Sequence, residues 1–525
     1  MISTILSSIC HLLALYLSAP LLWTAAVLLI TVYVIRNVYQ AVSSPLFQIP
    51  GPLLNHVSNL PLRYHMMRGN YHAYTSQLQA KYGPLVRLSC NQVLLASTPE
   101  LRRILATHNF RKGKMYEINS DTKSTILSTS DPELYKIRRR QLGNVYSMPT
   151  MRMMEDIILE NGVLSIIKLW DAELVAAPPN QASVAVNYHY GFHGMGYDVV
   201  GALGFGQSFN VLSQGDKTVT DAIHRALTLK ILKGSIPFFP RMRWLFPSLY
   251  EARSYLANTG INVIKKRRDE IKATGKPPRI DILQKLIDAH DPETGEVLDE
   301  GSLLAEVFLL LIAGTETTSN TMSWTLMNLM HYPSVYQRLR DDVRREFPDH
   351  STPICYEEAR TRLPYLTAVI TECMRLNTVA AGRLTRRVPE EGGGATVCGY
   401  FIPTDSAEIC LGIAACHRSN EVWPDPLRFD PERFMGPDAE INAKNILAFS
   451  SGARMCIGRN MAWVVLYAAL ANLLRTYNFK LPANAPYGPH RLRNDIPEEI
   501  PGVAFATCSP RNPNKNCWIE IERAC

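Results

Sequence analysis

The segment FSSGARMCIGRNMA, residues 449–462, leads directly into WVVLYAALANLL, an almost unbroken apolar run that predicts a buried helix. A helix that begins just after Cys456 aims its free N–H groups and the positive end of its dipole at the sulfur, which favours thiolate over thiol. Gly452 and Gly458 permit backbone angles and close approaches that a side chain would block, so a flat, bulky ligand can lie against the loop. The residues alone fit both a thiolate nucleophile and a thiolate metal ligand.

A nucleophilic cysteine needs a histidine base nearby. The histidines that precede the loop, His331, His350 and His417, have no catalytic signature around them. The metal-ligand interpretation is therefore favoured. The spacing of the other cysteines matches neither a zinc ribbon nor a disulfide framework, and most of the 11 cysteines are predicted to be free thiols in a reducing compartment.

The loop resembles the haem-binding loop of the cytochrome P450 family, FxxGxRxCxG, with every fixed position filled. The residues at those positions are Phe449, Gly452, Arg454, Cys456 and Gly458. The resemblance implies that Cys456 is the axial ligand of the haem iron, that Phe449 packs beneath the porphyrin, and that Arg454 meets a haem propionate.

A second motif, AGTETT, occupies residues 313–318 and follows LLAEVFLLLI, which is apolar on all sides and predicts a helix through the core. A glycine and adjacent threonines are poor helix formers, so we expect a local opening there. The segment resembles the family's oxygen-activating helix, where the hydroxyl of Thr317 and the carboxylate of Glu316 relay protons. Taken alone, it also fits a Ser/Thr patch that bonds back to carbonyls one turn earlier.

The third motif is ExxR, formed by Glu372 and Arg375, which share one helix face. Such a pair is usually an exposed ion pair worth under about 1 kcal/mol. Its flanks here are apolar, and the sequence PERF supplies Arg433, where the family completes a Glu-Arg-Arg network. The resemblance gives these three residues a structural role that ties the cysteine-loop segment to the core.

Further basic residues match the family's propionate contacts. Tyr135 and Arg139 stand where the family carries an aromatic or His residue and an Arg four positions later. Arg386 matches another propionate position, with Arg387 beside it as the alternative register. For Arg138 and Arg140 we expect a solvated face, which can also recruit an acidic redox partner.

Composition limits the possible classes of protein. The chain has 525 residues, 46% hydrophobic and 19% charged, which is enough to bury a large core and argues against disorder. The net charge of +8 is spread without a long Lys/Arg block, so nucleic acid is not expected as a partner.

The N-terminus predicts a membrane anchor, because no charged residue precedes Arg36 and the run before it supplies roughly the 20 apolar residues that a membrane helix requires. A cleaved signal peptide would need a basic start and a shorter apolar core. Positive charge after the span places the rest of the chain in the cytosol. We predict an anchor over residues 1–37, a proline-rich linker over 38–54 that is stiff and extended, and a haem-thiolate monooxygenase domain over 55–525.

The periodicity predicts a mainly α protein with a small β part (α+β). Strand pairs are expected at residues 83–97 and around Gly399, and helices in LLAEVFLLLIAG, SWTLMNLM and YLTAVITECMRL. The resemblance, which covers nearly the whole chain, implies the cytochrome P450 fold preceded by a single N-terminal transmembrane helix in the endoplasmic reticulum membrane.

The resemblance also implies a function. A haem-thiolate monooxygenase carries haem b, receives electrons from NADPH through a flavoprotein reductase, with cytochrome b5 as a further candidate donor, and inserts one atom of O2 into an apolar small molecule. The hinge and loops resemble filamentous-fungal members that tailor secondary metabolites; sterol or fatty-acid hydroxylation is an alternative. The substrate is expected to contact residues 116–130, 309–317, 379–384 and 501–505.

Two other classes stay open. Some family members isomerise, dehydrate or rearrange their substrates without using dioxygen, but these often lack the acid-alcohol pair that Glu316 and Thr317 provide here. A non-catalytic haem sensor is the third interpretation. Reductase-dependent NADPH consumption with substrate separates these classes.

Overall fold

A computed structural model describes residues 23–117, 123–235 and 239–524, and most of its regular structure is helical. The helices are α1 Trp23–Val42, α2 Leu53–Val57, α3 Leu60–Met67, α4 Tyr71–Tyr82, α5 Thr98–Ala106, α6 Pro132–Gly143, α7 Met148–Met153, α8 Glu155–Ile158, α9 Leu164–Ala176, α10 Tyr188–Gly204, α11 Val211–Gln214, α12 Thr218–Ser235, α13 Pro247–Thr274, α14 Ile282–Ile287, α15 Glu300–His331, α16 Pro333–Glu346, α17 Tyr356–Arg362, α18 Pro364–Leu376, α19 Ile413–His417, α20 Ala439–Lys444, α21 Arg459–Thr476 and α22 Pro513–Asn516.

The strands are short and are distributed along the whole chain. They are β1 Leu85–Ser89, β2 Gln92–Leu95, β3 Val184–Asn187, β4 Thr385–Arg387, β5 Gly394–Val397, β6 Tyr400–Pro403, β7 Glu408–Leu411, β8 Tyr477–Lys480, β9 Leu492–Arg493, β10 Ile496–Pro497, β11 Gly502–Ala504, β12 Cys508–Pro510 and β13 Trp518–Arg523. The prediction of a mainly α protein with a small β part is confirmed.

Both predicted strand pairs are present. β1 and β2 form an antiparallel hairpin, and β5 pairs with β6 around the turn at Gly399. The largest sheet has the order β1-β2-β7-β4, in which β2 runs parallel to β7. This sheet joins the early and late parts of the chain, and a separate apolar cluster packs beside it.

The central helix of the larger apolar cluster is α15, which runs without interruption for 32 residues. It contains both LLAEVFLLLIAG and SWTLMNLM, which the sequence suggested as separate blocks. The Asp299 side chain caps its start by accepting from the Ser302 N–H at 3.1 Å. The local opening expected at AGTETT is absent from this described helix, because its neighbours α10, α18 and α21 support it over most of its length.

Glycines bring α10 unusually close to α15. A Cβ at Gly196 would lie 2.4 Å from Ser319 Oγ, and one at Gly204 would lie 2.6 Å from Leu310 Cδ2. The Ser319 hydroxyl also donates to the Phe192 carbonyl at 2.9 Å. This close approach allows the remaining side chains of α10 to reach those of α15.

The N-terminal helix α1 stands apart from this body. Among the described residues, α1 and α15 are the helices long and apolar enough to span a membrane, and only 6% of the α1 window is buried, whereas α15 lies in the core. The described part of α1 ends at Val42, five residues beyond the predicted anchor boundary, and residues 1–22 of that anchor lie outside the described part. The boundaries at 37 and 54 stay a prediction.

The proline-rich linker is folded rather than extended. A 3-10 helix covers Pro45–Gln48, and the Leu46 N–H donates to the Ser44 hydroxyl at 3.2 Å. Leu46 and Ile49 are both buried in the apolar cluster beside the main sheet. The expectation of a stiff, extended spacer is therefore wrong, because apolar side chains between the prolines gain free energy by packing.

Candidate active site

The cysteine loop is closed by one hydrogen bond, from the Cys456 N–H to the Phe449 carbonyl at 2.9 Å. Gly452 has a φ of +60°, and a Cβ there would lie 2.4 Å from the Leu105 carbonyl oxygen, so only glycine fits. Gly458 has an ordinary φ of −80°, and a Cβ there would meet only Cys456 Sγ, at 4.0 Å. Its missing side chain keeps the approach to the sulfur open.

The Cys456 side chain has accessible surface, although protein surrounds it closely. Burial raises the pKa of its thiol, while the N–H groups of Gly458 and Arg459 and the charge of Arg139 lower it. The N–H groups at the helix start therefore lower the thiol pKa, as predicted. Without a bound ligand, however, the increase in pKa from desolvation is larger. The thiolate then requires a further positive charge, such as a bound metal ion, which deprotonates a coordinating thiol.

Histidines give no support to a cysteine nucleophile. The His417 ring bonds through both nitrogens, to the Leu447 N–H at 2.8 Å and to the Thr378 hydroxyl at 2.7 Å. Burial and then the charge of Arg375 lower the pKa of His417 to about 3. Within the described ranges, no cluster of His, Cys, Asp and Glu could hold a metal ion by itself.

The middle of α15 presents a partly accessible face inside an otherwise buried region. The members of this face are Phe308, Leu309, Ile312, Ala313, Gly314, Glu316 and Thr317. A Cβ at Gly314 would lie 3.6 Å from Met461 Cε in the first turn of α21. The face therefore lies next to the helix that follows the cysteine loop, and most of it is apolar.

The Thr317 hydroxyl donates to the Ala313 carbonyl at 2.8 Å. This is the bond one turn back that a Ser/Thr patch would make. The bond uses the proton of the hydroxyl and leaves its oxygen free to accept another hydrogen bond.

The Glu316 carboxylate contacts three side chains that the sequence analysis missed. The Tyr197 hydroxyl donates to Oε1 at 3.0 Å, His193 Nδ1 lies 3.7 Å away and His224 Nε2 lies 3.9 Å away. Burial acts to raise the pKa of Glu316, but the nearby His224 ring, the nearby His193 ring and the Tyr197 hydroxyl bring it down to about 2. The sequence could have shown that His189, His193 and Tyr197 share one helix face, because they are four residues apart. It could not have shown that this face packs against Glu316.

Three basic side chains, Lys112, Arg386 and Arg454, gather at the cysteine loop. Lys112 and Arg386 are each 5% exposed, and Arg454 has a buried Nη2 atom without a partner. None of the three forms an ion pair with a carboxylate in the part of the chain that the structure describes. Burial and then the charges of Arg386 and Arg454 lower the pKa of Lys112 well below its ordinary value.

Unpaired buried charge is costly, so this cation cluster demands an anionic ligand. A ligand with two carboxylates and a metal that binds thiolate satisfies both the cluster and Cys456, and haem has both properties. The residues present therefore fit haem. Lys112 escaped the sequence analysis because RKGK, residues 111–114, reads as an ordinary exposed basic stretch.

The Tyr135 ring lies under the guanidinium of Arg454, with Cζ 3.7 Å from the ring centroid, and its hydroxyl donates to the Ala453 carbonyl at 2.9 Å. Arg139 donates to the Met455 carbonyl at 3.0 Å. Both residues thus contact the cysteine loop itself, and their propionate contacts stay predictions.

The register at Arg386 and Arg387 follows from β4. Arg386 is buried and donates to the Thr385 carbonyl at 3.0 Å, whereas Arg387 pairs with the exposed carboxylate of Glu117. Arg386, rather than Arg387, is therefore the member of the cation cluster.

Arg138 and Arg140 do not form a solvated face. Arg138 is 7% exposed and bonds to the Ser302 hydroxyl, and Arg140 pairs with the buried carboxylate of Asp291 at 2.6 Å. The expectation of a free basic surface at these two positions is wrong, because α6 packs this side against the start of α15 and the loop before it.

The segment before α6 is held by two charged side chains, Glu306 and Lys112. The Ile126 N–H donates to Glu306 at 2.7 Å, and the Lys112 ammonium donates to the Leu127 carbonyl. Burial raises the pKa of Glu306 to about 7. The expected substrate-contacting residues 118–122 in this region, including Asn119, Ser120 and Asp121, lie outside the described residues.

Glu372 and Arg375 form a fully buried ion pair, with Nε 2.6 Å from Oε2 and both side chains at 0% exposure. Arg433 lies 3.4 Å from Glu372, and the Asp430 N–H donates to the same carboxylate at 2.8 Å. Arg375 also donates to the carbonyls of residues 417, 426 and 428. The structure thus brings the three predicted network residues together and excludes an exposed pair.

Comparison with known proteins points to one family. A family profile described as Cytochrome P450 matches residues 49–491. The chain is 31% identical to cytochrome P450 monooxygenase helB1 of Aspergillus fumigatus over 91% of this chain and 82% of that protein. It is 30% identical to helB3 of the same fungus, over 91% and 93%, and 29% identical to cytochrome P450 monooxygenase acrD of Aspergillus aculeatus, over 89% and 92%.

The substitution Glu372→Gln is expected to lower the free energy of unfolding by about 3–5 kcal/mol, because it leaves two buried guanidinium groups without their counter-charge. Glu432→Gln makes the same chemical change in an exposed pair with Arg338 and should cost under about 1 kcal/mol. Thermal and urea unfolding of both variants measures the difference. Equal losses in the two variants would contradict the structural role of Glu372.

Proposed function

Since the chain belongs to the cytochrome P450 family, we propose that it inserts one oxygen atom of O2 into an apolar small molecule of fungal secondary metabolism, by hydroxylation, epoxidation or a related oxidation. Family members are oxidoreductases that bind haem through a cysteine thiolate and take electrons from a redox-partner reductase. The observation that carries the proposal is the accessible thiol of Cys456 in a loop that meets a carboxylate-demanding cation cluster and leads into α21, the helix next to the partly accessible face of α15.

Haem b would be held by Cys456 at the metal and by Lys112, Arg386 and Arg454 at the carboxylates, with Phe449 and Gly458 flanking the sulfur. When bound, it supplies the binding and reductive activation of dioxygen. Tyr135 and Arg139 hold the cysteine loop in place through the contacts described above.

The chain's own part in the reaction is positioning and proton supply. The apolar side chains of Phe308, Leu309 and Ile312 favour an apolar substrate and exclude water from its reacting carbon. The Thr317 hydroxyl oxygen accepts a hydrogen bond while its proton is held by Ala313, and the Glu316 carboxylate beside it takes up and releases protons. This acid-alcohol pair supports dioxygen use over isomerisation or dehydration.

We place the protein in the endoplasmic reticulum membrane as a single-pass protein with its catalytic domain in the cytosol. Two features support this. The most apolar part of α1 has a mean hydropathy of 1.6, and the first charged residue of the chain, Arg36, lies in the C-terminal half of that helix. Exposed apolar side chains continue past α1 at Leu53, Leu60 and Met67, which suits a body that rests against lipid. Partners proposed on the same basis are NADPH-cytochrome P450 reductase and cytochrome b5.

The organic substrate is proposed to be a polyketide, terpenoid or alkaloid, which the filamentous-fungal origin of the relatives supports. The test is a screen of such compounds, with sterols and fatty acids as the competing classes, for a type-I spectral shift of the ferric protein. Binders are then incubated with NADPH and reductase. Reductase-dependent oxygenated product supports the proposal, and a rearranged product formed without NADPH would contradict it.

Cys456→Ala is expected to abolish the red-shifted band that thiolate ligation gives to the reduced CO complex, because it removes the thiol of the cysteine loop. Cys90→Ala, at a partly exposed thiol bonded to Asn59, should leave that band unchanged. The measurement is the reduced-CO difference spectrum of protein expressed with ample haem. Persistence of the band in the Cys456 variant would remove the ligand assignment.

Lys112→Met is expected to speed haem loss by about tenfold or more, since a hydrogen bond to a charged group is worth roughly 1.5–3 kcal/mol. Lys114→Met makes the same change at an exposed neighbour and should have no such effect. Transfer of haem to excess apomyoglobin measures the rate. Equal rates for the two variants would exclude Lys112 from the carboxylate site.

Thr317→Ala is expected to raise the hydrogen peroxide formed per NADPH, because the hydroxyl beside the accessible face no longer helps deliver protons. Thr321→Ala removes a similar bond one turn later, from Oγ1 to the Thr317 carbonyl at 2.9 Å, and controls for helix effects. Peroxide and NADPH are measured together. An unchanged ratio in Thr317→Ala would show that protons arrive by another route.

A further inference from the structure

Glu316 is surrounded by titratable groups from two neighbouring helices. α10 supplies His193 and Tyr197, and α12 supplies His224, whose own charge is influenced by Asp221. His189, one turn before His193 on α10, also feels the charge of Glu316, and its ring centroid lies 4.2 Å from that of His193. The Glu316 carboxylate of α15 is thus close to side chains of both α10 and α12.

Exposure distinguishes the members of this group. The side chains of Glu316 and His193 are 16% and 13% exposed, and Tyr197 is buried, whereas His224 is 63% exposed. His224 is therefore the one of these groups that can exchange protons freely with solvent while lying near the carboxylate.

The hydrogen bonds of His193 exclude it as the donor. The Asn320 amide nitrogen donates to the Thr507 hydroxyl at 3.4 Å, which leaves Asn320 Oδ1 to accept from His193 Nε2 at 3.3 Å. A neutral His193 then turns an unprotonated Nδ1 toward Glu316. Burial lowers the pKa of His193, which favours this neutral form.

Tyr197 is a fixed donor rather than a source of protons. Its hydroxyl bonds to Glu316 Oε1, and burial and then the charge of that carboxylate raise its pKa far above neutrality. It orients the carboxylate without titrating. His224 differs, because the neighbouring Glu316 carboxylate raises its pKa from the ordinary value and favours the protonated form.

We propose that His224 is the point at which protons enter the site, taking them from solvent and passing them to Glu316. The proposal rests on the proposed monooxygenase function. In the step, the N–H bond at His224 Nε2 breaks and an O–H bond forms on Glu316, so imidazolium becomes neutral imidazole and carboxylate becomes carboxylic acid. The 3.9 Å separation is closed by rotation of the exposed side chain or by one bridging water.

Such a route matters because dioxygen reduction consumes protons. Full reduction of O2 to water uses two NADPH and two solvent protons, whereas release as hydrogen peroxide uses one NADPH and one proton. Cleavage of the O–O bond needs protons delivered at the site. A slow supply therefore shifts consumed O2 from water to peroxide.

The competing interpretation is that His224 merely ties α12 to α15. Two substitutions separate the interpretations. His224→Gln keeps a hydrogen-bond donor that can reach Glu316 but cannot carry a proton, while His224→Ala loses both properties. If His224 only holds α12 against α15, the glutamine variant should reduce O2 to water like the native protein. If His224 transfers protons, both variants should lose water formation.

The experiment uses the full-length holoenzyme with NADPH and reductase, and dioxygen itself is the probe, so the organic substrate need not be known. O2 consumption, NADPH oxidation and peroxide are measured over a range of pH in H2O and D2O. His290→Gln is the matched control, since His290 is an exposed histidine outside the Glu316 group. The reduced-CO spectrum checks that each variant keeps its haem.

We expect both His224 variants to lower the rate of water formation about tenfold, below the usual effect of a positioned proton donor because bulk water can partly substitute at an exposed site. Their solvent isotope effects should increase. In the native protein and in His290→Gln, the share of O2 reduced to water should fall as pH rises above the pKa of His224, and this dependence should vanish in both His224 variants.

A native-like water share in His224→Gln would overturn the proposal in favour of the tie. A native protein that forms only peroxide, or whose water share has no such pH dependence, would overturn it as well. Failure of the native protein to give the thiolate CO band or any reductase-dependent O2 consumption would instead overturn the proposed function on which it rests.

Discussion

A single buried ion pair, Glu372 with Arg375, fixes the segment on which the rest of the site depends. Arg375 donates to the His417 carbonyl, and the His417 ring in turn accepts the Leu447 N–H. The Leu447 carbonyl accepts from Ser450, at the start of the cysteine loop. The two bonds made by His417 are buried, so the position of the loop is set by the core helix α18 rather than by the surface it lies near. These bonds fix the position of the Cys456 sulfur relative to α18.

Buried charged groups in this protein are of two kinds, those paired within the chain and those without a partner of opposite charge among the described residues. The carboxylate of Glu372 is fully matched within the chain, and its environment needs nothing from outside. Lys112 and Arg386 are buried, Arg454 has a buried Nη2 atom without a partner, and none of the three has a carboxylate partner among the described residues, which is unfavourable until an anion arrives. The first arrangement serves the fold, and the second serves binding. The contrast separates structural from functional charge without reference to sequence motifs.

Motifs at fixed spacing predicted the part of the site that lies within short stretches of chain. The Cys456 loop, the helix after it and both hairpins follow from local pattern, turn residues and apolar periodicity. Residues brought in by packing were missed: Lys112 reads as an ordinary surface lysine, and His224 meets Glu316 only because α12 lies near α15. Arg138 was expected in solvent for the same reason, since a charged residue's burial depends on which helix covers it. The linker fold and the unbroken α15 likewise reflect tertiary support that outweighs local propensity.

The Lys112 ammonium has two tasks, since it belongs to the cation cluster and also donates to the Leu127 carbonyl. Glu306 holds the adjacent Ile126 N–H. The peptide at Ile126 and Leu127 is therefore held by two side chains, one of which also belongs to the cation cluster. The ammonium that helps to set the charge of the anion site thus also anchors the chain leading into α6, so the shape of this wall and its electrostatics depend on the same atom.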